Sequence, residues 1–260
     1  VSTSPSADRL VVRRATDRAE LAALLRREPV NPVDGAQDPE VFERALSDRT
    51  DVDRRVFLLV RPDDPGRPRT VVWVALARGV PSSLDELTDD RPALDPAEAD
   101  TAVFWSIWNA DSNVEGVGTG ADLILGAAEQ LREELPQLAT FITLSPVPGL
   151  RRWLEERAAA GEDPVDPDDP HALSVAAARY LTSFRDDGRP LDGVARFHLR
   201  NGARLWRIDP GADRSERGMQ RAFGLMVNYR YDPEDRAANR AALDRGEVAV
   251  GDAVAPLLES

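Results

Sequence analysis

The 260-residue chain contains no cysteine and no lysine: its 33 basic residues are all arginine, and imidazole is supplied only by His171 and His198. Without cysteine there is no thiolate nucleophile, no disulfide and no thiolate metal site. Without lysine there is no Schiff base, no biotin attachment and no Walker-type phosphate lysine. Neither histidine has a second imidazole at the close spacing that zinc sites use, so no metal is expected. Residues Val1 to Asp8 are polar, with no apolar segment of signal-peptide length, and no run approaches a membrane span; a cytoplasmic protein is expected. What remains for chemistry is hydroxyls, carboxylates, guanidinium groups, backbone amides and one or two imidazoles.

Basic charge is also short. Forty-six acidic residues against 33 basic ones leave a net charge of -13, which argues against a nucleic-acid partner, since a phosphate backbone calls for a basic face. A hydrophobic content of 42% is ample for a packed core. No internal repeat or composition break marks a boundary, so residues 1–9 read as a flexible tail and 10–260 as a single domain.

Leu21, Leu24 and Leu25 mark one face of a helix within Asp17 to Arg27, and Val41, Phe42 and Leu46 mark another. Val56 to Val60 and Thr70 to Ala77 read as a hairpin across the turn-rich Pro62 to Pro68. Ala102 to Trp108 is a third strand. Helices follow at Arg151 to Ala160, Ser174 to Phe184 and Ala237 to Leu243, and the five acids of Gly161 to Pro170 lack the spacing of a calcium loop. Val194 to Leu199, then Asn201-Gly202, then Arg204 to Ile208 reads as strand, turn, strand. The tryptophans, Trp73, Trp105, Trp108, Trp153 and Trp206, are scattered and read as core.

Two junctions stand out. Asn113 to Gly120 is glycine-rich and runs into a helix from Ala121 to Leu135; it is either a tight strand-to-helix turn or a seat where free amides and the helix dipole meet a phosphate. The second is Leu138 to Gly149. Six of the seven residues from Ala139 to Ser145 are apolar or β-branched, while Pro146 and Pro148 oppose extension, so Ser145 is expected at a strand end. A serine there either caps the strand or does chemistry beside a rigid loop. His198, by itself, is either a structural group or a catalyst, and His171 is expected at a surface or helix start.

Phe104 to Leu150, with its Leu-Ser-Pro-x-Pro-Gly element, resembles the catalytic domain of the malonyl-CoA decarboxylase family. So do Arg189 to Ala203 with Arg-Phe-His-Leu-x-Asn-Gly, Gly224 to Tyr231, and Gly246 to Val250, in family order. The likeness runs from about Leu10 and implies an α+β, GNAT-like acyltransferase fold, a mixed central sheet flanked by helices. It implies catalytic roles for Ser145, His198 and Tyr231, with Ser106 lining the site, and a coenzyme A phosphate turn at Gly116, Val117, Gly118, Thr119 and Gly120. Many family members carry a polar or acidic residue where this chain has Gly118, leaving Glu115 as the nearby substitute. The helical amino-terminal domain of larger members is expected to be absent.

The activity so implied is decarboxylation of malonyl-CoA to acetyl-CoA and carbon dioxide through an enolate. Methylmalonyl-CoA or a malonyl group on an acyl carrier protein are further possible substrates. No metal or other cofactor is needed, because the thioester carbonyl is the electron sink. Two other readings stay open: a GNAT-type transfer of an acyl group to an amine or carrier thiol, and a non-catalytic acyl-CoA-binding regulator.

Overall fold

The computed structural model describes residues 10–88, 92–110 and 119–259. In chain order the elements are β1 (Val11–Ala15), α1 (Arg18–Leu25), α2 (Pro39–Arg49), β2 (Arg54–Val60), β3 (Thr70–Ala77), α3 (Asp85–Thr88), β4 (Thr101–Asn109), α4 (Thr119–Glu134) and β5 (Thr140–Thr143). There follow β6 (Ser145–Pro146), α5 (Leu150–Ala159), α6 (Pro170–Thr182), α7 (Gly193–Arg200), β7 (Arg204–Asp209), α8 (Glu216–Ala222), β8 (Met226–Arg230), α9 (Arg236–Asp244) and α10 (Ala255–Glu259). The chain forms two compact units, one from residues up to Val80 with Asp90–Phe141, the other from Pro81–Asp89 with Ile142–Ser260.

The first unit is an antiparallel meander. β1 pairs with β2, β2 with β3 and β3 with β4, and β2–β3 is the hairpin expected from the proline-rich turn. Every residue of β2 is buried, which is why that strand reads as a continuous apolar run and not an alternating one. Leu123, Ile124, Ala127, Ala128 and Leu131 of α4 are buried where the helix packs on β1 to β4. Their spacing is the one the sequence predicted.

The second unit is organised around β8. That strand pairs antiparallel with β7 along one edge, Leu205 opposite Tyr229, and with β5 and β6 along the other, Ile142 opposite Arg230 and Ser145 opposite Val227. The terminal segment is clipped to the same sheet, because Leu205 N–H donates to Ala249 O at 2.9 Å and Gly251 N–H donates to Leu205 O at 2.8 Å.

The segment Val194 to Leu199 corrects the expectation. It is not a strand but the body of α7, and the reason is Asp192, whose Oδ1 accepts the N–H groups of Val194 and Ala195, both at 2.8 Å. Ala195, His198 and Leu199 then fall on one buried face at helical spacing. Asn201-Gly202 is accordingly a helix exit, with Gly202 at φ +85°, and not a hairpin turn. The tryptophans also divide: Trp73, Trp105 and Trp108 are buried, whereas Trp153 and Trp206 are half-buried, each beside an arginine.

Removing the cap should loosen α7. Asp192→Ala is expected to lower unfolding free energy by about 1–2 kcal/mol in urea titration, with Asp192→Asn losing less because asparagine caps well. Equal losses for the two variants would show that the cap does not set this helix.

Candidate active site

α7 is short, so its cap fixes the position of each inward residue, and His198 is carried inward in its last turn. The strand expected to run through Ser145 stops at Thr143. Leu144 interrupts it, and Ser145 and Pro146 resume as β6, opposite Val227 and Met226. Ser145 therefore opens a second short strand instead of ending the first, and Pro146, which has no N–H to give the ladder, is the last residue of that pairing.

These elements bring three hydroxyls and one imidazole into a hydrogen-bonded line. Tyr231 Oη lies 2.7 Å from His198 Nδ1, and His198 Nε2 lies 3.2 Å from Ser145 Oγ. Ser145 Oγ donates to Thr143 Oγ1 at 2.9 Å, and that oxygen also accepts the Tyr229 N–H at 3.2 Å. The Tyr229 ring stacks on the imidazole with centroids 4.5 Å apart and planes 22° apart, and Phe197 meets the imidazole edge-on. His198 is 3% exposed.

Burial governs the electrostatics. It pushes the His198 imidazolium down to about 3, so the ring is neutral at physiological pH, and burial alone accounts for the shift. The Tyr231 phenol is raised far above its ordinary value by the same desolvation, so it stays protonated. Among the described residues no carboxylate hydrogen-bonds Ser145 or His198. The site is an uncharged relay of donors and acceptors.

Behind α7 lies its support. Tyr180 Oη of α6 donates to Asp192 Oδ2 at 3.2 Å, and burial followed by the Asp192 charge raises the phenol's pKa. Burial also raises the Asp192 carboxyl, against the downward pull of its cap hydrogen bonds. Gly149 passes so close that a Cβ there would stand 2.1 Å from Tyr180 Oη and 3.8 Å from Asp192 Oδ2. The glycine that closes Leu-Ser-Pro-x-Pro-Gly thus leaves room for the tyrosine that braces the cap of the histidine helix.

The malonyl-CoA decarboxylase C-terminal domain family matches residues 21–175 and 162–260. This chain belongs to the malonyl-CoA decarboxylase family. It is 33% identical over 233 residues to the mitochondrial malonyl-CoA decarboxylase of Anser anser anser, covering 73% of this chain and 46% of that protein. The chain spans about half the length of the curated relatives it matches. The crystal structure of malonyl-CoA decarboxylase from Agrobacterium vitis superposes with a TM-score of 0.84 at 37% identity, over 95% of this chain and 67% of that one. The loading GNATL domain of CurA from Lyngbya majuscula aligns at a TM-score of 0.53 and 15% identity, over 88% of this chain and 100% of that one, a likeness of fold alone.

Within this family framework the structure gathers Ser145, His198 and Tyr231 in the second unit. Ser106 lies on β4 of the first unit, buried, with its hydroxyl donating to Glu28 Oε1 at 2.7 Å. Glu28 also accepts the Val30 and Asn31 N–H groups on that same oxygen. Gly116, Val117, Gly118 and Glu115 lie outside the described residues, while Thr119 and Gly120 open α4. His171 is exposed in the first turn of α6, whose cap Asp169 accepts its N–H. Sequence reasoning missed Thr143, Tyr229 and Glu28 as partners of site residues. Thr143, two residues before Ser145, was the most accessible of these, because residues two apart along a strand share one face.

The close approach at Gly149 gives a specific coupling. Gly149→Ala should cost about 1–3 kcal/mol through overpacking. Adding Tyr180→Phe, which removes the obstructing oxygen, should recover roughly 1 kcal/mol of that relative to the sum of the single variants. Strict additivity in a double-mutant cycle of urea unfolding energies would contradict the contact.

Proposed function

We propose that this chain decarboxylates malonyl-CoA to acetyl-CoA and carbon dioxide without a metal or other cofactor, through an enolate. The observation that carries the reading is the buried Ser145–His198–Tyr231 line, in a chain of the malonyl-CoA decarboxylase family. Breaking the carboxylate–carbon bond leaves its electron pair on the α-carbon, and the thioester carbonyl spreads that charge onto oxygen. The protein's task is to hold the leaving carboxylate out of the carbonyl plane, stabilise the oxyanion and return one proton to carbon.

Neutral hydrogen-bond donors suit that task. In a site from which water is excluded, a preorganised N–H or O–H stabilises developing charge more than it would in water. Ser145 and His198 are the proposed donors, with His198 supplying the proton and Tyr231 holding the imidazole through Nδ1. The glycine-rich stretch Gly116 to Gly120, which leads into α4, is the proposed seat for the coenzyme A phosphates, since a helix N-terminus favours negative charge. Methylmalonyl-CoA and a malonyl group on an acyl carrier protein share the reacting centre and are included as proposed substrates.

The test is incubation of the purified protein with malonyl-CoA, methylmalonyl-CoA and malonyl-carrier protein, following carbon dioxide and the product thioester by mass. Acetyl-CoA formation is expected, with Ser145→Ala or His198→Gln reducing turnover by about 10²-fold or more. Near-normal turnover by His198→Gln would overturn the assignment. Transfer to an added amine or thiol without carbon dioxide release would indicate an acyltransferase, and coenzyme A ester binding without turnover a regulator.

A further inference from the structure

Thr143 ends β5 two residues before Ser145, and its side chain is wholly buried. It is held on two sides by β8: its carbonyl accepts Asn228 Nδ2 at 2.7 Å and its hydroxyl oxygen accepts the Tyr229 N–H at 3.2 Å. The same hydroxyl stands 2.9 Å from Ser145 Oγ. The oxygen is thus fixed in place before it meets Ser145.

The spacing along the line indicates which way its protons point. The 2.7 Å separation of Tyr231 Oη and His198 Nδ1 has the short length of an O–H donor, whereas 3.2 Å between Nε2 and Ser145 Oγ fits a weaker N–H donor. A phenol is more acidic than an aliphatic hydroxyl, and an imidazole nitrogen is the most basic acceptor present. Tyr231 therefore donates to Nδ1. A neutral imidazole carries a single ring proton, which is then on Nε2 and directed at Ser145. That leaves Ser145's own proton unable to go to the ring, and Thr143 Oγ1 accepts it.

We propose that Thr143 is a positioning residue that sets the tautomer of His198, keeping the ring in the Nε2–H form by accepting the Ser145 proton. With that hydroxyl removed, Nε2 becomes the nearest acceptor for Ser145; the ring proton moves to Nδ1 and Tyr231 turns from donor to acceptor. The catalytic consequence rests on the decarboxylase reading. As the enolate carbon takes the His198 Nε2 proton, a C–H bond forms and that N–H bond breaks. A solvent proton returns to Nε2 once the product has left, so the ring is restored in the same tautomer with Tyr231 still protonated. In the opposite tautomer His198 has no proton to give on the Ser145 side.

The chain's possession of only two histidines makes the tautomer directly readable. In protein labelled with ¹⁵N-histidine, two-bond ¹H–¹⁵N correlation spectra distinguish the Nε2–H from the Nδ1–H ring, and His171→Gln assigns the two signals. Near pH 7 the expected result is Nε2–H for His198 in the wild type and in Thr143→Ser, and Nδ1–H in Thr143→Val. In turnover, Thr143→Val should lower kcat by about tenfold or more with KM within about twofold, and Thr143→Ser should recover most of the loss. An Nδ1–H ring in the wild type, or an Nε2–H ring that survives in Thr143→Val, overturns the proposal. If the valine variant does not fold, Thr143→Ala takes its place, with the same Nδ1–H ring expected and an Nε2–H ring again overturning the proposal. The spectra need no substrate, so absence of decarboxylation would defeat the functional reading and leave this one separately answered.

Discussion

Everything in the second unit turns on an imidazole kept uncharged by burial and hydrogen-bonded at both nitrogens. His198 is satisfied by Tyr231 on one side and Ser145 on the other, with Tyr229 stacked across its face. A buried polar ring with one partner missing would cost free energy, so the three segments that supply these groups are constrained to meet with close tolerances. Asp192 sets where α7 begins, Tyr180 braces Asp192, and Gly149 leaves space for Tyr180. The break at Leu144 places Ser145 in register with β8. The separated motifs of the chain are thereby parts of one packing problem.

That arrangement also suits the proposed decarboxylation, in a chain without lysine or cysteine. Lysine and cysteine would offer covalent routes, but a malonyl thioester already carries its own electron sink. It needs placed donors and a way to return a proton. In the proposed reaction, the neutral donors of the buried site would supply both without a strong base that could abstract other protons.

The sequence displayed some of this and concealed the rest. The β2–β3 hairpin, β4 and the apolar face of α4 were legible because their patterns are local and their turns are marked by proline and glycine. α7 was misread because Val194 to Leu199 includes β-branched and aromatic residues and precedes Asn201-Gly202, which mimics a hairpin. The deciding signal was Asp192, just ahead of the segment. Ser145 stood out locally at the end of its apolar run, but its catalytic role, like those of His198 and Tyr231, came from family resemblance. Thr143 and Tyr229 depend on the long-range register of β5, β6 and β8, which no local pattern encodes.

In the proposed reaction the proton donor is a neutral His198 and not an imidazolium. Burial places the ring's pKa at about 3, so its charge state does not change through neutrality. The measurement that addresses this most directly is kcat/KM for malonyl-CoA against pH, which reports the ionisations of the free enzyme. A profile with no break near the ordinary histidine value of about 6.5 is predicted between roughly pH 6 and 9. A tenfold fall per pH unit above about 6.5, lost in His198→Gln, would mean that the charged ring is the working form and would contradict the account.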